Sequence, residues 1–293
     1  MQGVFPILIT PFDDHGRVDE DSLRAVVDFN IDAGVHGLGV ALGSEVLKLS
    51  EAERVQVTKI VVEQSNKRVP VIINTGAAGT DLAVLYSKTA EDNGADGLMM
   101  MPPSFKPLSA EEVREYFKAA SDAVNIPIFI QDTDNPSVPA ALAVSMAEES
   151  EHVRYIKVES TPTTVKVADA VALAKGKLVI FGGAGGSYFV EEMRRGSVGT
   201  MPSCSQPEAF VEVWDLFQKG EERKAREVME TKILPLNRIS AQNWGAFFHV
   251  NKGLLKHRGF ISSAHIRGPA APMDEVLERE LEAVIDELYG EGS

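Results

Sequence analysis

The feature that most constrains this chain is an alternation that recurs eight times. A short apolar or β-branched run gives way to a loop of small or polar residues, then to an amphipathic stretch rich in Ala, Glu, Leu and Lys. The runs are Val4 to Thr10, Gly37 to Leu42, Pro70 to Thr75, Gly97 to Met101, Ile126 to Gln131, Val153 to Val158, Leu178 to Gly182 and Val198 to Met201. Helices are expected between them, at about Asp19 to Ala33, Ser50 to Gln64, Asp81 to Asn93, Ser109 to Ala123, Ala140 to Glu149, Thr163 to Ala174 and Ser187 to Arg195. Ser50 with Glu53, and Ser109 with Glu112, read as capping boxes. Strands joined by helices of this length call for parallel pairing through right-handed crossovers. Eight such units fit a closed (β/α)8 TIM barrel, an α/β fold, better than an open doubly wound sheet.

After Met201 the pattern becomes wholly helical, at Pro207 to Lys219, Glu221 to Leu234, near Asn243 to Arg258, and Met273 to Tyr289. The first of these is expected to close the barrel and the others to pack outside it. No low-complexity linker divides the chain. The expected organisation is a catalytic barrel over residues 1–235 and a C-terminal helical extension over 236–293, with Gly290 to Ser293 frayed.

Charge and apolar patterning narrow the partners. Asp and Glu outnumber Lys and Arg by 43 to 29, a net charge of −14, and the basic residues are scattered, so a polyanion such as nucleic acid meets repulsion. No apolar run approaches the ~18–20 residues of a membrane span, and the N-terminal stretch turns acidic at Asp13-Asp14 before a signal-type segment could end. A cytoplasmic protein with no membrane partner is expected. The single cysteine, Cys204, excludes an internal disulfide and a cysteine-cluster metal site. The six histidines show no ligand-type spacing, so neither a catalytic metal nor a cofactor is expected.

In such a barrel the chemistry sits where strands end and loops begin. Those ends carry Thr10, Gly43-Ser44-Glu45, Asn74-Thr75, Pro102-Pro103-Ser104, Gln131-Asp132, Lys157 with Glu159, Gly182-Gly183 and Ser203. Lys157 is the unusual member, a lysine inside a strand, on one face with Tyr155 by period-two alternation. If it points into the barrel it is partly desolvated, which favours the neutral amine able to attack a carbonyl and form a Schiff base. The plainer reading is a lysine that snorkels to solvent or pairs with Glu159. The glycine string Gly182-Gly183-Ala184-Gly185-Gly186 precedes a helix, so its amides could receive an anion, but Tyr188 breaks a dinucleotide fingerprint and a close-packed turn is the better reading.

Several segments recur together in order: Gly3-Val4-Phe5-Pro6 with Thr10-Pro11-Phe12, Gly34-Val35-His36-Gly37, Gly43-Ser44-Glu45, Leu49-Ser50, Pro70-Val71-Ile72-Ile73, Gly94-Ala95-Asp96-Gly97, Lys106-Pro107 and Tyr155-Ile156-Lys157-Val158-Glu159. In this order and spacing, from Gly3 to about Pro207, the chain resembles the dihydrodipicolinate synthase and N-acetylneuraminate lyase family of class I, pyruvate-type lyases. The resemblance implies that Lys157 is the Schiff-base lysine, that the substrate is a small 2-oxo acid, and that the protein is a homo-oligomer, a dimer or a tetramer. The aromatic residues Trp214, Trp244, Phe247 and Phe248 are expected in the core or at subunit contacts.

Two departures from the family pattern bear on the reaction. Where the family has a Gly-Thr-Thr-Gly-Glu loop for the substrate carboxylate, this chain has Ala41-Leu42-Gly43-Ser44-Glu45, in which Gly43 and Ser44 are carried over as binders. Where it has a proton-relaying tyrosine after the fifth strand, this chain has Gln131, which cannot exchange a proton near neutral pH; Pro103-Ser104-Phe105 replaces the usual tyrosine pair. The Gln131-Asp132, Gly182-Gly183 and Gly199-Thr200-Met201 strings resemble a sub-branch that includes 2-keto-3-deoxy sugar-acid dehydratases. Dehydration of such an acid, for example 2-keto-3-deoxyarabonate, through a Lys157 imine is the leading expectation. Glu159, Asp132, Glu45 and Tyr155 are candidate proton carriers. Lys157, Gln131 and Glu159 are read as catalytic, and Thr10, Gly43, Ser44, Glu45, Asp132, Gly183 and Ser203 as substrate-binding. Aldol cleavage or synthase-like condensation involving pyruvate is the alternative. Readings of another class are a barrel in which Glu45, Asp132 or Glu159 holds Mg²⁺, and a non-catalytic keto-acid-binding barrel.

Overall fold

The computed structural model describes residues 1–290; of the tail expected to fray, residues 291–293 lie outside the described residues. Eight short strands run parallel: β1 (Gly3–Val4), β2 (Leu38–Val40), β3 (Val71–Asn74), β4 (Gly97–Met100), β5 (Ile128–Asp132), β6 (Val153–Val158), β7 (Val179–Gly182) and β8 (Gly199–Thr200). Their order is β1-β8-β7-β6-β5-β4-β3-β2. Ile7 bridges Gly39 on one side and Ser203 on the other, which closes the sheet into a (β/α)8 barrel. The first strand is shorter than the apolar run Val4 to Thr10 suggests, because Pro6 has no amide to give the ladder and the chain rejoins the sheet only at Ile7.

The helices are α1 (Glu20–Asp32), α2 (Glu51–Ser65), α3 (Thr80–Asp92), α4 (Ala110–Ser121), α5 (Ala140–Glu149), α6 (Thr163–Ala174), α7 (Phe189–Met193) and α8 (Pro207–Gln218), followed by α9 (Glu222–Val228), α10 (Leu234–Ser240), α11 (Trp244–His257) and α12 (Glu275–Tyr289). Both capping boxes form: Ser50 and Ser109 accept from the amides of Glu53 and Glu112, whose carboxylates accept the amides of Ser50 and Ser109 in return. The stretch expected as one helix from Glu221 to Leu234 is instead α9, a π-helical turn over Met229–Ile233, and then α10, which carries Pro235 in its first turn. Among the described residues no helix is long and apolar enough to cross a membrane.

Apolar side chains separate by strand parity into two shells. Phe5, Ile7, Ile72, Met99, Phe129 and Phe181 fill the barrel, whereas Ile128, Ile130, Ile156 and Val158 face the helices. A third cluster, with Leu236, Ile239, Val250, Leu254, Leu277 and Leu281, joins α10, α11 and α12. The inner shell ends one residue pair below the barrel mouth. Above Phe129, Tyr155 and Phe181 on the inward faces come Gln131, Lys157 and Gly183.

Candidate active site

Lys157 does point inward: its side chain is 4% exposed, and its Nζ lies 2.8 Å from Glu159 Oε1. Gln131 is the Cα partner of Lys157 across the β5–β6 ladder, and its Nε2 donates to Glu159 Oε2 at 2.8 Å. One carboxylate thus holds the lysine with one oxygen and the glutamine with the other. Because a carboxylate can only accept, this bond fixes the Gln131 amide, and its Oε1 is left buried with no partner among the described residues. Gly183 makes room for the group: a Cβ there would fall 2.4 Å from Glu159 Cγ and 3.0 Å from Lys157 Cε. Ser203, which bridges Ile7 just past β8, has the same parity as Met201 of the barrel interior and is buried.

Other expected site residues are placed differently. Asp132 has the parity opposite to Gln131 and is buried outside the barrel. Lys166 of α6 donates to both its oxygens, at 2.8 and 3.0 Å, the Ser160 hydroxyl donates at 2.6 Å, and the Val138 amide at 2.7 Å. It ties the loops after β5 and β6 together and does not reach Lys157's side of the wall. Glu45 also turns away, into a buried ion pair with Lys252 of α11 at 2.5 Å and Lys48 at 2.9 Å. Lys252 is itself completely buried, over the Phe12 ring, and desolvation pulls it down to about 8 against the attraction of Glu45.

The Ser44 hydroxyl donates to Leu8 O and accepts from the Ala41 amide, and the Ser44 amide donates to Ala41 O at 2.8 Å. Neither group is therefore open to a carboxylate, which corrects the expectation for Ser44. Thr10 donates to Ser44 O at 2.6 Å and serves this loop, not a ligand. The turn Leu42–Ser44 leaves its leading amides, at Leu42 and Gly43, without internal partners. Phe247 of α11 packs beside Gly43, with Trp244 stacked on it. Tyr155 stacks on Phe129 at 4.3 Å, and its hydroxyl accepts from the Met1 ammonium, so it lies at the far end of the barrel from the strand ends. Of the four candidate proton carriers, only Glu159 faces Lys157. Glu45, Asp132 and Glu159, the three carboxylates considered for Mg²⁺, do not converge, and among the described residues no group of three His, Cys, Asp or Glu is placed to hold a metal.

The sequence reading missed Glu192 of α7. It is completely buried, both its oxygens lack hydrogen-bond partners among the described residues, and burial pushes it up to about 7. A signal was present: Glu192 lies three residues after Phe189 and next to Met193, both on the buried side of that helix.

A family model described as the dihydrodipicolinate synthetase family matches residues 1–288. Among curated relatives, L-2-keto-3-deoxyarabonate dehydratase of Azospirillum brasilense is 28% identical over 295 residues, covering 98% of this chain and 94% of that protein. The 4-hydroxy-tetrahydrodipicolinate synthase of Pelobacter propionicus is 28% identical, covering 99% of each. The solved dihydrodipicolinate synthase from Rhodopseudomonas palustris matches with a TM-score of 0.90 at 28% identity over 98% of each chain.

Proposed function

The chain belongs to the dihydrodipicolinate synthetase family of class I lyases, and from that premise we propose that it dehydrates a 2-keto-3-deoxy sugar acid, a 2-keto-3-deoxypentonate being the first choice. The observation that carries the reading is what faces Lys157: one carboxylate, Glu159, fixed by Gln131, where aldol chemistry in this family uses a proton-exchanging tyrosine. The similarity to a relative named as an L-2-keto-3-deoxyarabonate dehydratase supports it.

The proposed sequence balances with one general acid–base group. Glu159 takes the Lys157 proton, the freed amine attacks C2 of the keto acid, and the carbonyl oxygen leaves as water to give an iminium. The iminium acidifies C3; Glu159 removes a C3 proton to form the enamine and returns it to the C4 hydroxyl, which departs as water. Hydrolysis of the conjugated iminium restores Lys157 and releases the unsaturated 2-oxo acid. Gln131 Oε1 accepts the hydrogen bond of the C4 hydroxyl and so holds it beside Glu159, and the Leu42 and Gly43 amides seat the substrate carboxylate. A homodimer or homotetramer is the matching proposal for assembly, supported by membership of the family.

The test is product analysis with both epimers of 2-keto-3-deoxypentonate by NMR. Dehydration gives a five-carbon 2-oxo acid carrying a terminal aldehyde after tautomerisation. Release of pyruvate and a two-carbon aldehyde would instead assign aldol cleavage, and no turnover of either epimer would remove the pentonate assignment.

A further inference from the structure

Two adjacent glycines at the end of β7 separate two carboxyl groups. A Cβ on Gly183 would strike Glu159 on the inner face, and a Cβ on Gly182 would lie 1.8 Å from Glu192 Oε2 on the outer face. Successive strand residues present opposite faces, so Glu159 and Glu192 are divided by a wall one backbone thick. This is a use of the glycine string that anion binding does not explain.

Glu192 is poorly provided for where it sits. From α6 the Thr163 hydroxyl offsets part of the cost of burying it, without the geometry of a hydrogen bond. From β8, Thr200 pairs with Gly182, and its hydroxyl too is buried without a partner among the described residues. The charged groups that act on Glu192 are both negative, Glu191 on its own helix and Glu159 across the strand. Just past α7, the Arg194 guanidinium is paired with Glu222 of α9, and that of Arg195 donates to Glu191 O. Among the described residues no cation pairs with Glu192.

We propose that Glu192 is a positioning residue of the active site, a carboxyl seated behind the Gly182-Gly183 wall whose ionisation sets the charge that Glu159 experiences. While it is protonated, Glu159 is, among the described residues, the only negative group paired with Lys157. Once it loses its proton, a second negative charge stands behind Glu159 in a medium of low dielectric, and transfer of a C3 proton to Glu159 is favoured. The inference rests on Lys157 and Glu159 being the reacting pair.

The test uses pyruvate, whose methyl protons exchange with D2O once the imine forms and a base removes a C3 proton, whatever reaction follows downstream. Exchange is measured by NMR at saturating pyruvate from about pH 6 to about pH 8.5, a range that brackets the titration of Glu192. In the wild type the rate is expected to step up several-fold through about pH 7. In Glu192→Gln, which is neutral throughout, that step is absent, and in Thr163→Val, which removes the one offsetting hydroxyl, its midpoint moves to higher pH. The same step in wild type and Glu192→Gln would overturn the inference, as would an unmoved midpoint in Thr163→Val. No exchange in the wild type at any pH would refute the reading of Lys157 and Glu159 itself, a result distinguishable from either.

Discussion

Glu192 also gives the account a thermodynamic prediction that needs no substrate. Its carboxyl is held at about 7 in the folded protein against an ordinary value of 4.5, with desolvation the largest cause. The folded state therefore binds this proton more tightly than the unfolded state, and stability falls as pH rises from about 4.5 to about 7, then levels off. The full difference, some 2.5 pH units at 1.36 kcal/mol each, is about 3 kcal/mol. Glu192→Gln keeps the shape and never ionises, so it should match the wild type within about 1 kcal/mol at pH 5 and exceed it by about 3 kcal/mol at pH 8. For a domain of this size that is a rise in melting temperature of at least about 5 °C at pH 8. Calorimetric scans of both proteins at the two pH values provide the assay. An equal difference at both pH values, or a variant less stable at pH 8, would refute the reasoning, because it would mean that the carboxylate has a partner that meets its charge.

Other substitutions follow from the same geometry. Glu159→Gln should lower turnover by about 10²–10⁴-fold while leaving the fold's melting temperature near that of the wild type, as read by steady-state kinetics and calorimetry. Gly183→Ala drives a methyl into Glu159 and Lys157, and kcat should drop by more than about 100-fold with circular dichroism unchanged. Lys252→Met strips Glu45 of the partner that is wholly buried with it, and a loss of about 3 kcal/mol is expected in denaturant unfolding.

The barrel was legible because period-two and helical patterns alternate over most of the chain; parity along β6 put Lys157 on one face with Tyr155, and the closed barrel is what makes that face the inner one, with Glu159 above it. The same parity separates Gln131 from Asp132. Reading both as site residues, on the ground that both sit at a strand end, overlooked that neighbours on a strand face opposite ways. Glu45 was not recoverable in this way: its partner Lys252 lies 207 residues along the chain, and only the packing of α11 against the second loop brings them together. Ser44 was read by its chemistry, yet its hydroxyl closes a local turn instead of facing a ligand, a competition common to short polar side chains. Pro6 and Pro235, both visible in the sequence, mark two of the places where elements are shorter than their apolar patterns suggest.

The central claim is that Lys157 forms the covalent imine, and borohydride reduction in the presence of pyruvate or a 2-keto-3-deoxy acid tests it most directly. Intact-mass spectra should show a reduced adduct on the wild type, mapped to the peptide carrying Lys157, and none on Lys157→Ala. An adduct on another lysine, or none on the wild type with any keto acid, would contradict the account.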